Sequence, residues 1–213
     1  MKAQFKRPVI AVAGSSGKTT TKEMIASILR QEWKIFKSPG NRNNRRDIRG
    51  HLKRIKPYHR AIVLEFGMSA RGHLTRSCQI IKPNMAVITM VGTSHIGNFG
   101  GALTNLAHAK SELIMHMHQN GILFLNADDR NSKLLGCRSF RGRIIRVGIE
   151  NEADYRASQV DYTANGMSFQ VRLNGRIHRF YIPIFGRHNV YNALFAIALA
   201  HVLGFNPETI KTG

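Results

Sequence analysis

The sequence predicts an α/β fold: a P-loop-type, mainly parallel sheet flanked by helices, with a small antiparallel β section near residues 153–183. Three observations carry this prediction. An apolar run at residues 9–13 ends in a small-residue turn, then Gly-Lys-Thr, then a helical stretch, the order of strand, phosphate loop and helix. Short continuous apolar runs then alternate with stretches of helical periodicity as far as residue 147, the pattern of a parallel sheet with right-handed crossovers. From about residue 153 the pattern changes to strands joined by Asn-Gly pairs, which mark hairpins.

The first strand feeds an anion cradle. Gly14 and Gly17 let the backbone turn tightly with its N–H groups inward, and the following helix adds the positive end of its dipole. Lys18 brings a charge to the outer phosphates, and the Thr19 hydroxyl suits Mg²⁺. Gly14, Ser15, Ser16, Gly17, Lys18, Thr19 and Thr20 are therefore the nucleotide-binding candidates. The general phosphate-loop pattern has its first glycine at position 12, where this chain has Val12.

The remaining elements follow in order. Met24, Ile25, Ile28 and Leu29 give residues 20–31 one buried helical face. A short strand is expected at 34–36, and residues 38–44 are dense in turn formers. Residues 42–60 hold the strongest basic cluster, with Arg42, Arg45, Arg46, Arg49, Lys53, Arg54, Lys56 and Arg60. On a helix Arg42, Arg45, Arg46, Arg49 and Lys53 share one face, and Ile48, Leu52 and Ile55 another. The cationic face is either solvated or in contact with a polyanion. Residues 61–64 read as a buried parallel strand that delivers Glu65 to the sheet edge where ligands bind, as a loop residue or a Mg²⁺ ligand. A short helix at 74–81 and a strand at 85–90 follow, and a Gly-containing loop at 91–101 carries His95 to the same edge. A helix at 102–119 carries Lys110, and strands are expected at 122–125 and 143–147. Strands at 155–162, 167–173 and 177–182 are joined by turns at Asn165-Gly166 and Asn174-Gly175, and a helix at 190–203 closes the series.

Composition bounds the class. The 213 residues, 43% of them hydrophobic, are enough for a buried core of one large or two small domains. No apolar stretch reaches the roughly 18 residues of a membrane span. The start of the chain is polar and basic, unlike a signal peptide. Cys78 and Cys137 match no metal spacing, and a reduced, cytoplasmic protein is expected. Thirty-two Lys/Arg against twelve Asp/Glu give +20, a field that attracts polyanions.

Seven segments in fixed order resemble a known family, the Mur ligases, ATP-dependent amide ligases of peptidoglycan synthesis. They are Gly-Ser-Ser-Gly-Lys-Thr-Thr-Thr-Lys-Glu-Met-Ile-Ala at 14–26, Pro-Gly-Asn-Arg-Asn-Asn at 39–44, Leu-Glu-Phe-Gly-Met at 64–68 and His-Ile-Gly-Asn-Phe-Gly at 95–100. Ala-Lys-Ser-Glu-Leu at 109–113, Asn-Ala-Asp-Asp at 126–129 and Gly-Arg-His-Asn-Val-Tyr-Asn at 186–192 complete the set. The resemblance covers nearly the whole chain and is to the family's central ATP-binding domain, most similar to the type that adds D-alanyl-D-alanine to a UDP-muramoyl tripeptide. That family's phosphate loop also lacks the first glycine.

The resemblance implies catalytic roles for Lys18, Glu65, His95 and Lys110, and a first Mg²⁺ on Thr19 and Glu65. It implies a second Mg²⁺ near His95, a carbamylated Lys110, and Asn189 and Asn192 near the adenine. It implies phosphoryl transfer from ATP to a substrate carboxylate, a UDP-muramoyl peptide or another peptide or amino acid, then attack by an amine. Residues 1–213 are expected to be a single domain, with the family's N-terminal UDP-sugar domain and C-terminal domain absent or supplied by a partner chain. His73 stands where that type has Glu, and the basic run 45–60 replaces a less basic segment. Two other readings are kept. One is a basic P-loop protein that binds nucleic acid or another polyanion through residues 42–60, where Tyr58 is the one aromatic available for stacking. The other is a non-catalytic ATP-binding remnant that acts with a partner.

Overall fold

The computed structural model describes residues 7–213; the polar, basic start read above falls mostly in residues 1–6, outside them. Among the described residues nine strands form one sheet in the order β2-β3-β1-β4-β5-β6-β7-β8-β9. β1 (Val9–Ala13), β2 (Ile35–Lys37), β3 (Ala61–Glu65), β4 (Met85–Ile88), β5 (Ile122–Asn126) and β6 (Arg143–Gly148) run parallel. β7 (Tyr155–Thr163) joins β6 in parallel through two residue pairs, then β8 (Gly166–Leu173) and β9 (Arg176–Ile182) continue antiparallel.

The central strands are buried on both faces, which is why they read as unbroken apolar runs. Every residue of β1 is at most 2% exposed. Ile10 and Val12 pack on the face covered by α1 (Lys18–Arg30) and α5 (Arg187–Val202). Val9, Ala11 and Ala13 pack on the face covered by α2 (Arg45–Arg54), α3 (His73–Ile80) and α4 (Leu103–His116). α5 is apolar nearly all round because it lies between α1 and strands β5–β8.

Several boundaries differ from the sequence reading. The basic helix starts at Arg45, so Arg42 does not share its face; Arg42 lies in the preceding turn, where its carbonyl bonds His51 Nε2 at 3.0 Å. Asn44 ends that turn by forming a capping box with Asp47, which fixes the helix start. α2 stops at Arg54, so Lys56 and Arg60 are outside it as well. α1 begins two residues earlier than predicted, directly on the phosphate loop.

The Asn174-Gly175 turn is as expected, with φ +50° and +78°, the positive pair a two-residue hairpin loop needs. The other turn is Ala164-Asn165, and Gly166 opens β8. Its glycine serves a close approach, because a Cβ there would sit 2.0 Å from the Ile182 carbonyl oxygen. A last helix, α6 (Pro207–Thr212), was not expected from the sequence, although Asn206 caps it and Pro207 occupies its first position.

Asp128 ties the β6–β7 connection to α5. Its carboxylate accepts from the Ile149, Glu150 and Asn151 amides at 2.6–3.0 Å and from the Tyr191 hydroxyl at 2.8 Å. Burial pushes its pKa up, but these four donors outweigh it and hold the carboxyl at about 2. The resulting stability is present above the usual aspartate pKa and is lost as pH falls through about 2. Asp128→Asn should cost about 1 kcal/mol in denaturant melts at pH 7, solvent screening having reduced the effect of a carboxylate that is only partly buried, and the difference from the native chain should shrink toward pH 2.

Candidate functional site

β1 and β4 end side by side where the strand order reverses, the switch point at which open α/β sheets bind ligands. The chain leaves β1 through Gly14, whose φ is +142° and whose added Cβ would lie 1.9 Å from Thr89 Oγ1. No other residue fits this approach. The Thr89 hydroxyl bonds the Ala13 and Ser16 carbonyls, and the Ser15 amide donates to the Met90 carbonyl at 2.9 Å. Ser15 Oγ donates to the Gly92 carbonyl and accepts from its amide, so residues 14–17 are stitched to the segment after β4.

Gly17 has φ +77°, and a Cβ there would lie 2.5 Å from Asn192 Oδ1. Asn192 also accepts from the Thr21 hydroxyl and donates to Asn189, both at 3.0 Å, so both asparagines of α5 stand directly behind the loop. α1 then starts with no side-chain cap and no acidic residue in its first turn. A helix start of this kind presents free amides and a positive dipole end to an anion, which fits the phosphates of a nucleotide. Lys18 folds back over the loop and donates to the Gly14 carbonyl at 3.0 Å. Burial lowers its pKa, and Glu65 opposes that shift.

Glu65 closes β3 and is 1% exposed. Oε2 accepts from the Thr19 hydroxyl at 2.8 Å and lies 3.6 Å from Lys22 Nζ; Oε1 accepts from Asn43 Nδ2 at 2.8 Å. A hydroxyl and a carboxylate in contact are hard oxygen donors, the set that holds Mg²⁺ together with phosphate oxygens and water. His95 sits exposed on its loop with φ +64°. It faces the same cavity as Lys18 and Lys110, about 400 Å³ in volume. Among the described residues no group of three or more His, Cys, Asp or Glu side chains comes together as a metal cluster. Thr20 turns the other way and lines a separate, largely apolar groove between α1, α5 and β9.

Lys22 and Asn43 escaped the sequence reading. Lys22 is 0% exposed and bonds Glu65, Glu23 and the Gly40 carbonyl. The signal was present: positions 22, 25, 26 and 29 form one stripe, and a lysine in an otherwise apolar stripe needs a buried partner.

Residues 12–200 match the family described as Mur ligase middle domain. The chain belongs to the Mur ligase family. It is 35% identical over 205 residues to the UDP-N-acetylmuramoyl-tripeptide–D-alanyl-D-alanine ligase of Bacillus subtilis, covering 96% of this chain and 43% of the relative. Against the Escherichia coli ligase of the same name the identity is 32%, over all of this chain and 47% of the relative. The crystal structure of MurF from Acinetobacter baumannii superposes with a TM-score of 0.87 at 31% identity, over 96% of this chain and 44% of that one. MurF from Thermotoga maritima in complex with ADP gives 0.84 at 25%, over 97% and 48%. The chain thus spans about half the length of the Mur ligases it matches. The nucleic-acid-binding alternative finds no support in these matches. Among the described residues no helix is long and apolar enough to cross a membrane.

Lys110 of this Mur ligase domain is 3% exposed on α4, and among the described residues its ammonium makes no hydrogen bond or ion pair. Burial first, then the neighbouring Lys18, bring its pKa down to about 8, with Asp129 acting the other way. The unfolded chain therefore holds more protons than the folded one between pH 8 and 10.5, and this residue's cost to stability disappears as pH rises through that window. Lys110→Met should raise the melting temperature at pH 7, by the equivalent of at most about 3 kcal/mol, and the gain should shrink between pH 8 and 10.

Proposed function

We propose that this domain is the ATP-binding and phosphoryl-transferring part of an ADP-forming acid–amino-acid ligase of the Mur type, acting on a UDP-muramoyl peptide. The observation that carries the reading is the convergence of an uncapped helix start, Lys18, the Thr19–Glu65 pair, His95 and Lys110 around one sheet edge. The names of the relatives support the substrate class. Because those relatives are more than twice as long, turnover is proposed for the domain working with the segments that make up the rest of such a ligase.

The loop amides and Lys18 hold the β- and γ-phosphates of ATP, with Asn189 and Asn192 toward the adenine. Thr19 and Glu65 would hold one Mg²⁺, and His95 would help with a second; bound there, the cation supplies charge neutralisation as the phosphoryl group moves. A substrate carboxylate oxygen forms a bond to the γ-phosphorus as the bond to the β-phosphate oxygen breaks and ADP leaves. An amine then attacks the acyl carbon, loses a proton and expels phosphate, which leaves an amide. Lys18 stabilises the charge spread over the transferring group, and the rigid loop keeps donor and acceptor in line. Lys110, partly neutral near pH 8, is suited to take up carbon dioxide: the neutral amine nitrogen bonds the carbon and releases one proton, which turns the amine into a carboxylate-like carbamate.

Calorimetric titration of Mg-ATP tests the nucleotide site. Lys18→Ala should weaken binding by about a hundredfold, and an affinity equal to that of the native chain would overturn the assignment. Glu65→Gln should weaken binding in Mg²⁺ far more than in EDTA; equal losses would remove Glu65 from the metal. With ¹³C-bicarbonate, a carbamate resonance should appear at pH 8 in the native chain and vanish in Lys110→Ala.

A further inference from the structure

β4 keeps its register with β1 and β5 as far as Ile88, opposite Ala13 and Leu125. The chain runs on through Val91 and Gly92 before the loop that carries His95 opens, and Val91 is fully buried. Backbone groups buried past the end of a ladder need partners. Here side chains supply them. Asp129 Oδ2 accepts from the Val91 amide at 2.8 Å, and Asn131 Nδ2 donates to the Val91 carbonyl at 2.7 Å. Ser15 Oγ accepts from the Gly92 amide at 2.9 Å and donates to the Gly92 carbonyl at 3.0 Å. The backbone polar groups of both residues are thus gripped from two sides, by the phosphate loop on one and by the turn after β5 on the other.

The turn after β5 is itself braced. Asp129 Oδ1 accepts from the Asn131 amide at 3.1 Å, and Oδ2 also accepts from the Ser132 hydroxyl at 2.7 Å. The carboxylate therefore orients Asn131 while it holds Val91. Asp128, one residue earlier, bonds Tyr191, which lies between Asn189 and Asn192 on α5. Two adjacent carboxylates thus reach two elements of the site: the helix behind the phosphate loop and the root of the His95 loop. Farther along that loop, Asn98 Nδ2 donates to the Ser69 carbonyl at 2.9 Å. His95 stands midway between these two fixed points and faces the cavity. Its placement there follows from the anchoring of the root.

We propose that Asp129 and Asn131 are positioning residues for the γ-phosphate end of the nucleotide site: they hold the root of the His95 loop in register with Ser15, so that the imidazole stands beside the bound nucleotide and its cation. They act through Val91 and touch neither. The inference rests on the nucleotide-binding function proposed above and goes beyond it, because it gives a task to a turn that contributes no lining residue to the cavity beyond the phosphate loop. A misplacement of about 1 Å at such an anchor is enough to cost a site about a hundredfold in rate.

The test reads the position of His95 directly. Mn²⁺ broadens the magnetic-resonance signals of nearby nuclei steeply with proximity. Histidine labelled with ¹³C at Cε1 gives one signal per ring, and the His95 signal is the one absent from His95→Gln. Mn-ATP added to the native chain should broaden that signal selectively. In Asn131→Ala and in Asp129→Ala the broadening should be lost, while calorimetry shows Mg-ATP affinity reduced by no more than about fivefold, the worth of one ordinary hydrogen bond. Asn131 carries no charge, so its variant separates this effect from the charge that Asp129 sets against Lys110. Ser132→Ala thins the same turn without removing a bond to Val91, and should keep the broadening. All three residues are only half-buried, so none of the substitutions opens the apolar core. Undiminished broadening in either Asn131→Ala or Asp129→Ala, or its loss in Ser132→Ala as well, would overturn the inference. So would loss of Mg-ATP binding in step with the broadening, which is what general damage to the fold produces. If Mn-ATP binds in a Lys18-dependent way and the native His95 signal stays sharp, the inference falls while the nucleotide site stands; if Lys18→Ala leaves binding unchanged, the nucleotide reading itself fails.

Discussion

A carboxylate buried at the end of a central strand has to be compensated, and the site is assembled around that requirement. Glu65 is 1% exposed. Its two oxygens draw in Thr19 and Lys22 from α1 and Asn43 from the turn before α2, and its amide bonds Ser38 Oγ at 3.1 Å. Removal of any one partner would leave part of a buried charge unpaired, a cost larger than the net worth of the contact itself. The carboxylate therefore acts as a clamp. It holds the helix that follows the phosphate loop against the strand beside it, and it sets the start of α2 relative to both.

The two buried lysines show how differently one residue type behaves under that constraint. Lys22 is 0% exposed but reaches Glu65, Glu23 and the Gly40 carbonyl. Lys110 is almost as deeply buried and faces Lys18 instead. Its pKa falls, through burial first and then through the neighbouring Lys18. The same burial makes Lys110 a burden to the fold and brings its pKa down to about 8, the kind of shift that clusters at functional sites.

The sheet was legible in the sequence because each central strand is buried on both faces, and burial on both faces writes an unbroken apolar run. The phosphate loop was legible for a different reason: Gly14 and Gly17 both stand at positive φ where a Cβ would strike Thr89 or Asn192, so the backbone dictates the residue. Legibility ended where residues act through partners distant in sequence. Asn43 looked like one more turn former between Pro39 and Asn44, and its bond to Glu65, 22 residues on, has no local signature. The extent of the basic helix was misread because charge recurs past both of its ends. The capping box at Asn44 and Asp47, visible in the sequence, fixes its start better than the periodicity of the arginines.

That boundary matters beyond bookkeeping of elements. A helix from 42 would have turned its cations along one solvated face, as a polyanion-binding surface requires. A helix that starts at Arg45 instead points its first turn at the cavity, because Asn43 is anchored to Glu65 and Gly67 just before it. The net charge of +20 is a property of the whole surface and favours no single partner. The clamp on Glu65 thus has two consequences in this fold: it ties the start of α1 to the end of β3, and it sets the start of α2 beside the phosphate loop.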